Sequence, residues 1–374
     1  MAMTEWYAGT GGNDSTGDGT SYATRWLTIQ KFIDAGTTGQ ANRLNVSGSE
    51  TLSASLDFTT RPMTLTQDNF LLIEGITDTA DDGGIFALDG GANEIINDDN
   101  LDAIFLSRCK FTNWGTGTAF SLDNWCGFSE CEFDGEGSRT HIIDSDIQLS
   151  IVNCKIHGLA STGTVLTIAG LCYGNYFQMD SMTTTDYIIN LASSGAAAIN
   201  NVISMKTTSS GVVGIRLGGD DHSAIGNTVF NQSVGTGVGI QNSNEGASIL
   251  NNIVCGCGTG IEAAVGSTLR MYGGNKLWNN TTNETLNNHV IFDLGGNEVL
   301  GGNPFTSTGN ADPDDDDFTV DTSVKGLAYP SQLWNPGNAF GTRNKQYLDA
   351  GALQREEAGG LSFINSRRST LIGR

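Results

Sequence analysis

The densest group of reactive side chains in the sequence is Gly218-Gly219-Asp220-Asp221-His222. Two adjacent carboxylates beside an imidazole are the residue types that general acid–base chemistry on a glycosidic bond requires. Arg216 stands just before them and alternates with Ile215 and Leu217, so on a strand it faces outward. The same five residues also read as a polar turn closing a strand at 213–217, with Arg216 solvated.

A second group is His141, Asp144 and Asp146, with Lys155 following. Strand periodicity puts Asp144 and Asp146 on one face, and the set is a candidate glycan-binding patch or a solvated polar face. Asn13, Asp14 and Asp18 form an oxygen-rich stretch, as do residues 312–317. Hard carboxylate and amide oxygens suit Ca²⁺, with Asp14 and Asp18 as the named metal candidates. Neither stretch has EF-hand spacing, and side-chain-capped turns explain the first as well. Trp114, Trp125, Tyr173, Trp278 and Trp334 could stack on sugar rings or pack in turns and caps. No phosphate loop, nucleophile elbow or paired-cysteine metal motif is present.

The elements that must carry these groups are set by a repeat. Leu106-Ser-Arg-Cys109-Lys-Phe111, Phe128-Ser-Glu-Cys131-Glu-Phe133 and Ile151-Val-Asn-Cys154-Lys-Ile156 share one pattern. Asn175, Asn201, Asn227, Asn252 and Asn275 then fill the cysteine slot, and the eight positions are 22, 23, 21, 26, 26, 25 and 23 residues apart. A second apolar series runs in phase through Ala119–Leu122, Ile142-Ile143, Val165–Ile168, Ile188–Leu191, Val213–Leu217, Val238–Ile240 and Ile261. Short strands at this period build a stacked solenoid, because one coil cannot bury its inner face alone. Stacking superposes like residues, so the cysteines share a dry slot and the asparagines relay amide hydrogen bonds between coils. No room remains between strands for the helices of a barrel.

The expected fold is therefore all-β: a right-handed parallel β-helix with a short N-terminal capping helix and an irregular C-terminal cap. Residues 1–40 hold the first strand and the helix, placed at Thr24–Gly36. Coils fill 41–300, with a last strand pair within 287–300. The cap covers 301–358, and 359–374 is a basic tail bearing Arg367, Arg368 and Arg374 that could dock on an acidic surface.

Of the 374 residues, 50 are glycine and 5 proline, which suits many tight turns rather than a proline-rich disordered chain. The formal charge of −22 opposes binding to nucleic acid or to anionic lipid. No run reaches the ~20 apolar residues that cross a bilayer. The start lacks the basic and apolar pattern of a secretory signal. Seven cysteines, without metal spacing, read as buried free thiols.

The opening Trp6-Tyr7-Ala8-Gly9-Thr10-Gly11-Gly12-Asn13-Asp14-Ser15-Thr16-Gly17-Asp18-Gly19-Thr20, the helix expected around Trp26, and the closing Asn303-Pro304-Phe305, Asp317-Phe318 and Asp349-Ala350-Gly351-Ala352-Leu353-Gln354 resemble the two ends of pectate-lyase-like β-helix proteins. The resemblance spans nearly the whole chain. It implies fold far more than function, since that superfamily holds lyases, hydrolases, epimerases, adhesins and phage tailspikes. In its lyases an exposed Arg or Lys acts as base near a Ca²⁺-binding carboxylate group, which would cast Arg216 with Asp220 and Asp221. In polygalacturonase-like members paired Asp and a His come from separate coils, unlike the single run here. Coils of 21 to 26 residues leave little chain for the loops that wall a cleft.

The expectation is thus a rigid structural or binding rod rather than an enzyme. The favoured form is a bacteriophage virion protein, a tailspike-like or head-decoration appendage. It would be homotrimeric or joined to other virion proteins, made in the host cytoplasm, and would bind host glycans. The alternative is an extracellular polysaccharide lyase or glycoside hydrolase acting on acidic polysaccharide, with Ca²⁺ as its cofactor.

Overall fold

In the computed structural model, residues 3–320 are described, except 36–39, 59–64, 98–101, 116, 123–124, 140, 145–147, 160–162, 183–185, 288–289 and 309–316. Asp146, the acidic residues 312–316, Trp334, the motif at 349–354 and the basic tail lie outside the described residues.

The coils wind right-handedly through three parallel sheets. Among the described residues sheet A has 12 strands, from Thr4–Gly9 to Val290–Gly295; sheet B has 11, from Ser49–Thr51 to Glu298–Val299; sheet C has 9, from Ile96–Asn97 to Thr282–Thr285. From Leu71–Ile76 to Thr282–Thr285 the chain visits A, B and C in turn. The strand Val213–Leu217 pairs in parallel with Tyr187–Leu191 on one side and Thr236–Asn242 on the other. Inward side chains of all three sheets meet in one continuous apolar core.

The corner between sheets A and B explains the spaced cysteines and asparagines. Asn175, Asn201, Asn227, Asn252 and Asn275 are buried. Each takes the backbone N–H of the preceding ladder residue on its Oδ1, at 2.8–3.0 Å. Each donates from Nδ2 both to a carbonyl one coil back and to the Oδ1 of the next asparagine, as in Asn227 to Ala198 O at 2.9 Å and to Asn252 at 3.0 Å. The relay extends one coil beyond the expected series, to Asn297. At the cysteine end the buried Cys131 N–H reaches Cys154 Sγ.

The residue before every ladder position is left-handed: Arg108, Glu130, Asn153, Gly174, Asn200, Gly226, Asn251, Gly274 and Gly296 have φ of 52° to 74°. A single left-handed residue turns the chain sharply from one sheet to the next. Gly and Asn adopt that conformation most readily, which is why they crowd this corner.

All seven cysteines are free and buried. Burial pushes the thiols of Cys172, Cys255 and Cys257 above their ordinary range.

The N-terminal helix is shorter than the sequence pattern suggests, Ile29–Ala35 rather than 24–36. Asp14 is the reason. Its carboxylate accepts the N–H groups of Leu27 and Thr28 and the Thr28 hydroxyl, while the Thr28 hydroxyl accepts the Lys31 N–H as the helix cap. Trp26 is therefore extended. It bridges to Ala8, stacks on Trp6 at 5.4 Å, and packs on Phe32, which closes the first coil.

At the other end the antiparallel pair Phe305–Ser307 and Asp317–Val320 turns back along the flank of sheet B. Phe305 and Phe318 pack there against Val202, Phe230, Ile253 and Cys255. The described part of the C-terminal region thus covers a side of the rod and leaves Ile291, Phe292 and Val299 of the last coil exposed. No helix among the described residues is long and apolar enough to cross a membrane.

Candidate functional site

Every outward group is positioned by strand register, so rows of side chains run from coil to coil. On sheet C one row is Asn190, Arg216, Gln241, Glu262 and Thr285. Ile215 and Leu217 are buried on either side of Arg216 and anchor the strand. The half-exposed Arg216 guanidinium lies over the Tyr187 ring, 4.5 Å from its centre. Its Nε has no hydrogen-bond partner, and neither does the neighbouring Asn190 Oδ1. Gln241 donates to Glu262 at 3.2 Å. The contact with the ring restrains the flexible arginine.

The turn after Arg216 puts its three candidates in different surroundings. His222 is fully buried, with its Nδ1 and Nε2 facing the N–H groups of Ala196 and Gly219 at 3.1 and 2.8 Å. Asp220 is exposed and accepts the Glu245 N–H at 3.3 Å. Asp221, left-handed at φ 59°, ion-pairs with Arg270 on the surface. The imidazole therefore braces backbone inside the wall while the two carboxylates face solvent.

Burial lowers the His222 basicity, and protonation would remove the one ring nitrogen with which the neutral imidazole can accept a backbone N–H. Because the folded pKa lies below the unfolded value of about 6.5, the native state binds fewer protons. Stability should then fall as pH drops through about 6.5 and below. Urea midpoints at pH 7.5 and 5.0 should differ more for the native sequence than for His222→Asn.

Asp14 and Asp18 do not converge on an ion position. Asp14 caps the helix as described. Asp18 Oδ1 takes the Thr20 N–H and the hydroxyls of Thr20 and Thr24, and these bonds lower its pKa. His141 and the Asp144 backbone lie on sheet C, whereas Lys155 lies on sheet B opposite Glu132, so the structure separates them. Of the aromatic candidates, Trp114 is fully buried, Trp125 is exposed, and Trp278 packs against the flank cluster.

One group went unnoticed in the sequence. Lys110, Glu132, Asp134 and His157 meet on the outer face of sheet B. Their signal was present in the ladder itself. The residue following each cysteine is Lys110, Glu132 or Lys155, and two positions further stand Thr112, Asp134 and His157. Register brings these together as Lys110–Glu132–Lys155 and Thr112–Asp134–His157. Burial opposes it, but hydrogen bonds from His157 and Lys110 hold Glu132 below its ordinary range.

No protein-family model and no curated protein matches the sequence. Among solved structures the chain is similar to pectate lyase Pel9A, with a TM-score of 0.52 at 11% identity, over 95% of this chain and 98% of that one. A likeness to the pectin methylesterase from Aspergillus niger in deglycosylated form, at 12% identity over 81% of this chain and 88% of that one, has a TM-score of 0.27 and carries no weight. What is shared is architecture, and on that ground the chain has the right-handed parallel β-helix fold of the pectate-lyase-like kind.

Proposed function

We propose that this rod binds an acidic polysaccharide along sheet C, through the row that contains Arg216. The observation that carries the reading is the Arg216 guanidinium placed over the Tyr187 ring, with polar side chains before and after it in register. A guanidinium is suited to paired hydrogen bonds with a carboxylate, and pre-stacking reduces the entropy lost on binding. The row repeats once per coil but holds one cation, so a single uronate would meet Arg216 while neighbouring sugars meet Asn190 and Gln241. The fold of Pel9A, by its name a pectate lyase, is consistent with a carbohydrate ligand.

Binding without cleavage is favoured, because His222 is buried and its ring faces backbone while Asp221 is paired with Arg270. Such a rod would serve as a displayed binding element, as on a bacteriophage virion, with a trimer as the expected assembly.

Titration with oligogalacturonate and oligomannuronate tests the reading. Arg216→Ala should weaken binding ten- to hundredfold, the worth of a charged hydrogen bond at about 1.5–3 kcal/mol, and Arg216→Lys should recover only part. Equal affinity of native and Arg216→Ala chains for every acidic oligosaccharide would remove this assignment. Release of unsaturated uronides, followed by absorbance with and without Ca²⁺, would instead establish the lyase alternative.

A further inference from the structure

We propose that Glu132, Asp134 and His157 form a binding site for a divalent transition metal of the zinc class, with Lys110 as the cation that holds the site in its absence. The site is on sheet B, so the inference is independent of the glycan strip on sheet C.

The ligands are fixed by strand geometry. Glu132 and Asp134 are two apart on the strand Glu132–Arg139 and so share a face, and His157 is the register partner of Asp134 on the adjacent strand Lys155–Leu159. Between them the inward side chains Phe133 and Ile156 are fully buried and hold both strands to the core. One ligand atom from each of the three residues lies within 4.8 Å of the others. His157 Nε2 is 2.9 Å from Glu132 Oε1, and Nδ1 is 3.9 Å from Asp134 Oδ1. Tetrahedral bonds of about 2.1 Å place ligand atoms ~3.4 Å apart; because a metal takes one ring nitrogen only, side-chain rotation must draw the set in from its spacing of up to 4.8 Å.

A positive charge already occupies this ground. The Lys110 ammonium is 3.1 Å from Glu132 Oε1 and 3.5 Å from Asp134 Oδ2, bound by both carboxylates at once. Its side chain is 34% exposed, against 19–30% for the three ligands. The flexible stem can therefore swing to solvent while the ligand residues stay. A metal ion takes over the compensation of the two carboxylates, binds one imidazole nitrogen, and leaves a coordination position for water. One nitrogen and two oxygens suit zinc and its neighbours, whereas Ca²⁺ seeks six to eight oxygens.

The test is calorimetric titration of the chain, free of any histidine tag, with ZnCl2 and with CaCl2. The native chain should bind one equivalent of Zn²⁺, with Ca²⁺ giving no saturable heat at this site. His157→Ala should weaken Zn²⁺ at least about tenfold, as ligand-shell losses do. Lys110→Met, which removes the competing ammonium and keeps the stem, should tighten it. Circular dichroism checks that both variants fold. No saturable Zn²⁺ binding by the native chain, binding undiminished in His157→Ala, or Lys110→Met no tighter than native would each overturn the proposal.

Discussion

Replacing Asn227 with Ala should destabilise the chain by about 3–5 kcal/mol, an exceptional cost for one residue. The side chain is fully buried in the middle of the amide relay. Its removal strips the acceptor from the Asn201 N–H, which bonds its Oδ1 at 3.0 Å, and from the Asn201 Nδ2. It also strips the donor from the Ala198 carbonyl. Each buried polar group left unpaired costs ~1–3 kcal/mol. Urea unfolding followed by circular dichroism should show the midpoint fall.

The isosteric Asn227→Asp sharpens the test. It keeps the acceptor and loses the donor, and burial raises the folded pKa of the new carboxyl above the unfolded value near 3.9. Between those two values the native state holds more protons than the unfolded chain, so stability falls as pH rises. Asn227→Asp should therefore be closest to the native chain near pH 4 and farthest from it at neutral pH. A variant no less stable at neutral pH than in acid would contradict a dry, fully paired ladder.

The second large effect is expected at Phe111. This ring is fully buried where Phe111, Phe120, Phe128 and Phe133 fill the core of neighbouring coils. It meets Phe120 edge-on at 5.0 Å and Phe133 at 5.1 Å. Phe111→Ala removes the ring and leaves a cavity in a close-packed layer, at about 3–5 kcal/mol. Aromatic pairing contributes part of that, roughly 0.5–1.5 kcal/mol per pair. Phe111→Leu should lose much less, since it refills most of the volume. Because a solenoid is held by contacts between successive coils, the alanine variant should also weaken the coupling of the first coils to the rest. Native-state hydrogen exchange should then show faster exchange in the strands from Asn42–Ser47 to Ile104–Ser107 than in those after Leu149–Val152. Uniform acceleration along the rod would count against that picture.

The sequence by itself determined the solenoid, because stacking turns a linear repeat into a column. Once Cys109, Cys131, Cys154 and the asparagines recur at near-constant spacing, register follows from the need of each buried amide for a partner one coil away. Asn297 and the left-handed residue before each rung obey the same rule. They were legible in principle, since Gly or Asn precedes most ladder positions and only Arg108 and Glu130 obscure the pattern.

Tertiary structure alone decided what sequence proximity could not. Residues 220–222 are adjacent in the chain, yet one left-handed turn sends an imidazole into the wall and two carboxylates to the surface. Asp14 and Asp18 look like cation ligands until the donors of their own loop fill them. Conversely, Lys110, Glu132, Asp134 and His157 are scattered over 48 positions and meet only because parallel strands set one coil directly above another. In a solenoid the chemistry lies along the stack, across coils, while local sequence reads around it.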